Sequence, residues 1–167
     1  METLKLTRDD FADVDGVLEY CGKQPLWAGD GVAINLHIDG GLGWISLKAI
    51  NLNGSLTTEK GTSIYVGGSF DVGGRLDVGE GVDVGWSVEV GWSVDVGEGL
   101  KVGAGIRAGQ YIRCRSLAAG EQILAGTSVR KRLTREDTLI TCEELLRGKI
   151  ALGELVLLPK SSAEAAT

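Results

Sequence analysis

The side chains able to do chemistry are few and far apart. A single histidine, His37, stands between Leu36 and Ile38. That setting reads as a strand residue facing solvent rather than as a general base. Cys21, Cys114 and Cys142 are odd in number and lack the CxxC spacing of a zinc or redox motif. Ser69, Ser87 and Ser93 have no base near them and read as small turn residues. The run Gly103-Ala-Gly-Ile-Arg-Ala has some of the glycine spacing of a nucleotide loop, yet it lies within a strand repeat instead of between a strand and a helix. The sequence therefore assigns no catalytic residue, no metal site and no cofactor.

Charge narrows the classes further. The net charge is −6 over 167 residues, which argues against a nucleic-acid binder with a basic surface, and direct nucleic-acid binding is not expected. No signal-peptide pattern is present, and no apolar run approaches the roughly 18–20 residues that cross a bilayer. The expectation is a cytoplasmic protein with reduced thiols and no membrane contact.

The elements that would carry any site come from a repeat. Glycine numbers 26 against two prolines, Pro25 and Pro159. Read in sixes from Val66, the chain runs VGGSFD, VGGRLD, VGEGVD, VGWSVE, VGWSVD, VGEGLK, VGAGIR, AGQYIR, CRSLAA. One apolar column is Val66 and every sixth residue to Cys114; another runs from Ile64 through Phe70, Leu76 and Val82 to Ile112. A single outward residue separates the members of each pair, as Asp71 separates Phe70 from Val72, and this alternation marks a half-buried strand. A glycine follows nearly every valine of the Val66 column, where the chain must turn, and tolerance of positive φ would suit it there. Strands this short between regular corners suit a parallel coil, each turn stacked on the next. Gly79-Glu80-Gly81 recurs three hexads on as Gly97-Glu98-Gly99, which favours three faces over two.

The pattern resembles that of the hexapeptide-repeat proteins over residues 63–116. The resemblance implies a left-handed β-helix of triangular section, and the large inner residues Phe70, Leu76 and Val82 imply a fatter one than usual. Members of that family are often acyltransferases that use a histidine in or beside the coils, and His37 precedes the regular repeat. Zinc carbonic anhydrases on the same scaffold need three histidines, so that activity is excluded.

The expected fold is all-β: a parallel β-helix (β-solenoid), three-faced with about 18 residues per coil, capped by a short N-terminal helix. Residues 1–37 form the cap, with Thr7 as N-cap of a helix over Arg8–Tyr20 that gathers Phe11, Val14, Val17 and Leu18 on one face. Residues 38–128 form the solenoid, 129–160 supply C-terminal capping strands or further rungs, and 161–167 are a disordered tail.

What remains for function is surface. Outward acids dominate first, in Asp71, Asp77, Asp83, Glu89 and Asp95; bases follow in Arg107 and Arg113 and then in Arg130, Lys131 and Arg132. Steps of one three-hexad coil set Glu89 over Arg107 and Asp95 over Arg113, which is either soluble decoration or an electric dipole that docks on a charged partner. Trp86 and Trp92 follow corner glycines and point outward, to be covered by the chain's own cap or by a partner. The favoured expectation is a non-enzymatic interaction module, forming a homodimer and binding a protein partner such as a nucleic-acid-binding effector. In size, charge and architecture it resembles phage or mobile-element inhibitors of bacterial defence, the anti-CRISPR proteins among them, acting by surface blocking or DNA mimicry. The alternatives are a polymer-forming solenoid, since the chain also resembles the bactofilins, and a hexapeptide-repeat acyltransferase.

Overall fold

The computed structural model describes residues 1–129 and 132–160. Arg130, Lys131 and the tail 161–167, for which the sequence suggests disorder, lie outside the described residues. The chain is a parallel β-solenoid of about 6 coils with three faces. The first face stacks Glu2–Leu6, Ile34–Ile38, Leu56–Thr58, Leu76–Val78, Val94–Val96, Ile112–Arg113, Leu139–Cys142 and Glu154–Leu157, all parallel. On the second face lie Gly43–Leu47, Thr62–Val66, Val82–Val84 and Gly99–Val102; on the third, Ile50–Leu52, Phe70–Val72, Val88–Val90 and Ile106–Ala108. The long strand Ser116–Ala125 turns the corner and joins the second face to the third.

Both apolar columns point inward, and Phe70, Leu76, Val82, Val88, Val94 and Leu100 are all buried. Through the regular repeat, stacked partners are separated by three hexads, as in Leu76 against Val94 and Val88 against Ile106. Before it the step is longer: Leu36 pairs with Leu56 and Leu56 with Leu76. The added residues sit in wider corners such as the one between Thr58 and Ile64, five residues where the regular repeat has three, so insertions lengthen a corner without moving the core.

The repeat's corner glycines serve a different purpose from the one their spacing suggests. None from Gly67 to Gly109 has positive φ. Those at the tight corners lie instead against the coil beneath: a Cβ on Gly91, Gly97, Gly103 or Gly109 would run into the carbonyl oxygen of the equivalent glycine one coil earlier. The same residues donate N–H bonds backward, Gly103 to Val84 and Gly109 to Val90, at 2.8 and 2.9 Å. Positive φ occurs at the irregular corners of the last coils, at Gly126, Gly148 and Gly153.

The expected N-terminal helix does not form. Thr7 heads only a single 3-10 turn, Arg8–Asp10, and Phe11–Val14 then pairs antiparallel with Val17–Tyr20. Asp15 and Gly16, at φ 52° and 86°, make the two-residue turn between them. Asp-Gly is the usual sequence of such a turn, whose positive φ angles match strand twist. Phe11 and Leu18 are buried while Val14 and Val17 are exposed, which is why a shared helical face fails. This hairpin covers the start of the second face, and the segment 21–33 covers the third, where Leu26 is buried and its carbonyl accepts from the Asn51 N–H. At the other end, the strands expected to cap run parallel as a last coil.

Tight corners and open ones should respond differently to an added methyl. Gly103→Ala places it where a backbone oxygen already sits and should cost about 1–3 kcal/mol, lowering the melting temperature by several degrees. Gly81→Ala meets its nearest atom only at 3.4 Å and should stay within about 0.5 kcal/mol of the parent. Cys114 and Cys142 are buried and unpaired, and burial pushes both thiols up, Cys114 to about 12. A thiol reagent at mildly alkaline pH should therefore label exposed Cys21 alone, with the other two reacting only after unfolding; labelling of all three in the native protein would contradict the packing.

Candidate functional site

A coil with three faces sends residues six apart to different sides. Asp71 and Glu89 stand on the third face, Asp77 and Asp95 on the first, and Asp83 on the second. The acidic run is therefore a belt around the girth, and the single carboxylate row that its spacing suggests does not exist. The bases behave alike. Arg107 lies on the third face beside Glu89, Arg113 on the first beside Asp95, and exposed Arg132 in the segment after Ala125. Of the predicted basic patch, Arg107 and Arg113 thus stand on different faces; Arg130 and Lys131 fall outside the described residues.

Within each face, charges one coil apart do meet. The Arg113 Nη1 lies 3.8 Å from Asp95 Oδ2, and its guanidinium sits 5.0 Å from the Tyr111 ring centre. Asp71 and Glu89 are like charges in register, as are Asp77 and Asp95. Partial burial, and then the neighbouring carboxylate, raise the acids of Asp71 and Asp77 above the usual range.

Trp86 and Trp92 occupy the two corners that bound the third face in one coil. Trp86 lies between Val84 and Val88, Trp92 between Val90 and Val94. Their main chains belong to the stack, with Trp86 O accepting from Ala104 N and Trp92 O from Gln110 N, both at 3.0 Å. Their rings stand outside it, 66% and 53% exposed. Small residues one coil away, Gly68 and Ala104 around Trp86 and Gly74 before Trp92, leave the indoles free to project.

Three depressions open on or beside this face, and Asp71 lines all of them. The largest, an open groove of about 860 Å³, runs from Asn51 and Asn53 past Glu89, Trp92 and Arg107 to Gln110 and Ser128. A smaller one lies against Trp86. Asn51, Asn53, Gln110, Thr127 and Ser128 escaped the sequence reading because they come from different coils; only placing each residue on its face brings them beside Asp71.

On the first face, outside these grooves, His37 Nδ1 lies 2.8 Å from Thr57 Oγ1 and Nε2 3.2 Å from Glu59 Oε1. The hydrogen bond from His37 holds the Glu59 carboxyl below its ordinary range. The histidine is thus an outward strand residue with both ring nitrogens engaged. Among the described residues no group of three or more His, Cys, Asp or Glu is placed to hold a metal ion, and no helix is long and apolar enough to cross a membrane. Comparison with protein-family profiles, curated proteins and solved structures returns no match.

The stacked carboxylates give a pH signature. A carboxyl raised by folding contributes stability that is complete below its unfolded value, near 4, and is lost as pH rises through the folded one. Asp77→Asn removes one charge of a like pair, so at neutral pH it should raise stability by a few tenths of a kcal/mol, reduced by solvent screening. The melting point should rise by about 1–2 °C, and the gain should vanish below about pH 4. A gain that persists in acid would show that charge is not its source.

Proposed function

We infer that this chain is a non-enzymatic protein-interaction module that docks a partner on its third face, between Trp86 and Trp92. The observation carrying this reading is the pair of exposed indoles at the two corners of the face where the grooves meet. Tryptophan contributes more to protein interfaces than almost any other residue, and two on neighbouring corners flank a continuous footprint. Between them Asp71 and Glu89 stand in register, and among the described strand residues of this face one base, Arg107, follows. A partner presenting arginine or lysine would relieve that repulsion.

A nucleic-acid-binding effector has such a surface, which supports the reading as an inhibitor of a bacterial defence system, carried by a phage or mobile element in the manner of anti-CRISPR proteins. In this reading the inhibitor works in the cytoplasm, where its free thiols stay reduced, and belongs with the left-handed hexapeptide-repeat proteins on the strength of its hexads. Surface blocking is favoured over DNA mimicry, because a groove that reads a nucleic acid meets carboxylates along one side and here they encircle the solenoid. A bactofilin-like polymer needs two open ends, and the hairpin with segment 21–33 closes one. An acyltransferase would depend on His37, which lies on a different face from the grooves.

The test is capture of partners from a bacterial lysate with the parent and with Trp86→Ala/Trp92→Ala. The double variant should lose the captured protein while keeping its circular-dichroism spectrum and melting point; each tryptophan should account for about thirtyfold in affinity. Asp71→Lys/Glu89→Lys should weaken binding of the same protein and reduce its salt dependence. Equal capture by parent and double variant would move the docking surface elsewhere.

A further inference from the structure

The two ends of the solenoid are finished differently. At the N-terminal end the core is sealed: Leu6, Phe11, Leu18 and Leu26 are buried beneath the hairpin and segment 21–33. At the C-terminal end no described residue covers the inward columns. Leu145 pairs with buried Leu117, Ile150 with buried Ile123, and Leu155 with buried Ile140, yet all three are only partly buried. Leu157 is the sharpest case. It stacks on Cys142, which is fully buried, and is itself 58% exposed, whereas Leu6, its counterpart at the start of the first face, is 1% exposed. Leu146 adds a further large apolar side chain at 59% exposure.

The strands of this last coil are also edges. Glu144–Leu152 pairs only with Ser116–Ala125, and Glu154–Leu157 only with Leu139–Cys142, so among the described residues their outer N–H and C=O rows have no strand partner. An apolar end ringed by unpaired edges is a template for another β-structure.

We propose that the last coil, residues 144–157, is the interface of a two-fold homodimer in which two solenoids meet C-terminal end to C-terminal end. A second copy offers what this end lacks: the same triangular outline, matching free edges and an equal set of leucines. Its charges also complement themselves. A two-fold axis through the middle of the second face sets that face's final strand against its own copy and the first face's edge against the third's. Glu144, at the start of the second face, then meets Lys149 of the other copy, at the corner where that face ends, and neither has an ion-pair partner within its own chain among the described residues. Because the sealed end offers no such surface, the contact is isologous and closes at two copies. This proposal is independent of the third-face docking site, whose tryptophans lie three coils from the last one and stay open in the dimer.

Sedimentation velocity of the full chain over the micromolar range tests it. The parent should sediment as a dimer, and Leu157→Glu should raise the dissociation constant about thirtyfold or more with an unchanged circular-dichroism spectrum. Glu144→Lys should weaken the dimer, and Glu144→Lys combined with Lys149→Glu should restore it, which guards against a variant that merely misfolds. A parent that is monomeric throughout, a series of growing assemblies, a dimer indifferent to Leu157→Glu, or a charge exchange that fails to restore association would each overturn the proposal. Partner capture by the Trp86 and Trp92 variants is read separately, so failure of one assignment leaves the other standing.

Discussion

Stacking backbone on backbone at about 4.8 Å leaves no room for a side chain at the inside of a tight corner, and the whole solenoid is built around that limit. Where Gly85, Gly91, Gly97, Gly103 and Gly109 turn, the carbonyl of the preceding coil occupies the place of a Cβ. The same close approach lets each corner N–H reach a carbonyl one coil back, so backbone groups at the bends remain paired. Glycine here meets a demand for space. Its freedom of φ matters only at bends of another kind, such as Gly148 and Gly153 in the last coil.

Given fixed corners, the core follows with little choice. Three-residue strands offer two inward positions and one outward, and the inward pair repeats as aliphatic columns that are almost wholly excluded from water. The outward position is where charge can vary, and the stack makes neighbours of residues a full coil apart in sequence. Some of these pairs attract, as Asp95 and Arg113 do, and others repel, as Asp71 and Glu89 do. A fold seeking only stability would alternate signs along each face. Repelling pairs beside two exposed indoles are what the proposed docking face is built on.

The ends show the same economy under a different constraint. A solenoid has no natural terminus, because each coil is a template for the next. At the start this chain breaks the pattern with an antiparallel hairpin, whose reversed strand cannot continue the parallel stack. At the other end no such reversal occurs among the described residues, and the leucines of the last coil stay in the open.

Much of the architecture was legible in the order of residues. Period-two alternation inside a period of six demands short strands and corners, and the return of Gly-Glu-Gly after three hexads already indicated the triangular coil. The outward direction of the acids was legible too, since each lies between two residues that must be buried, and that of Trp86 and Trp92 from their place after corner glycines. The hairpin was written in Asp15-Gly16 but was overridden by an apolar spacing that also fits a helix. What only the tertiary structure decided is which outward residues share a face. Neighbouring hexads diverge by a third of a turn while distant ones converge, so the row of acids became a belt, and the groove beside Asp71 was assembled from Asn51, Glu89, Arg107 and Gln110. A linear period specifies what lies inside each coil; the coil's closure decides what meets outside it, because adjacency on the surface is set by the stack and not by the chain.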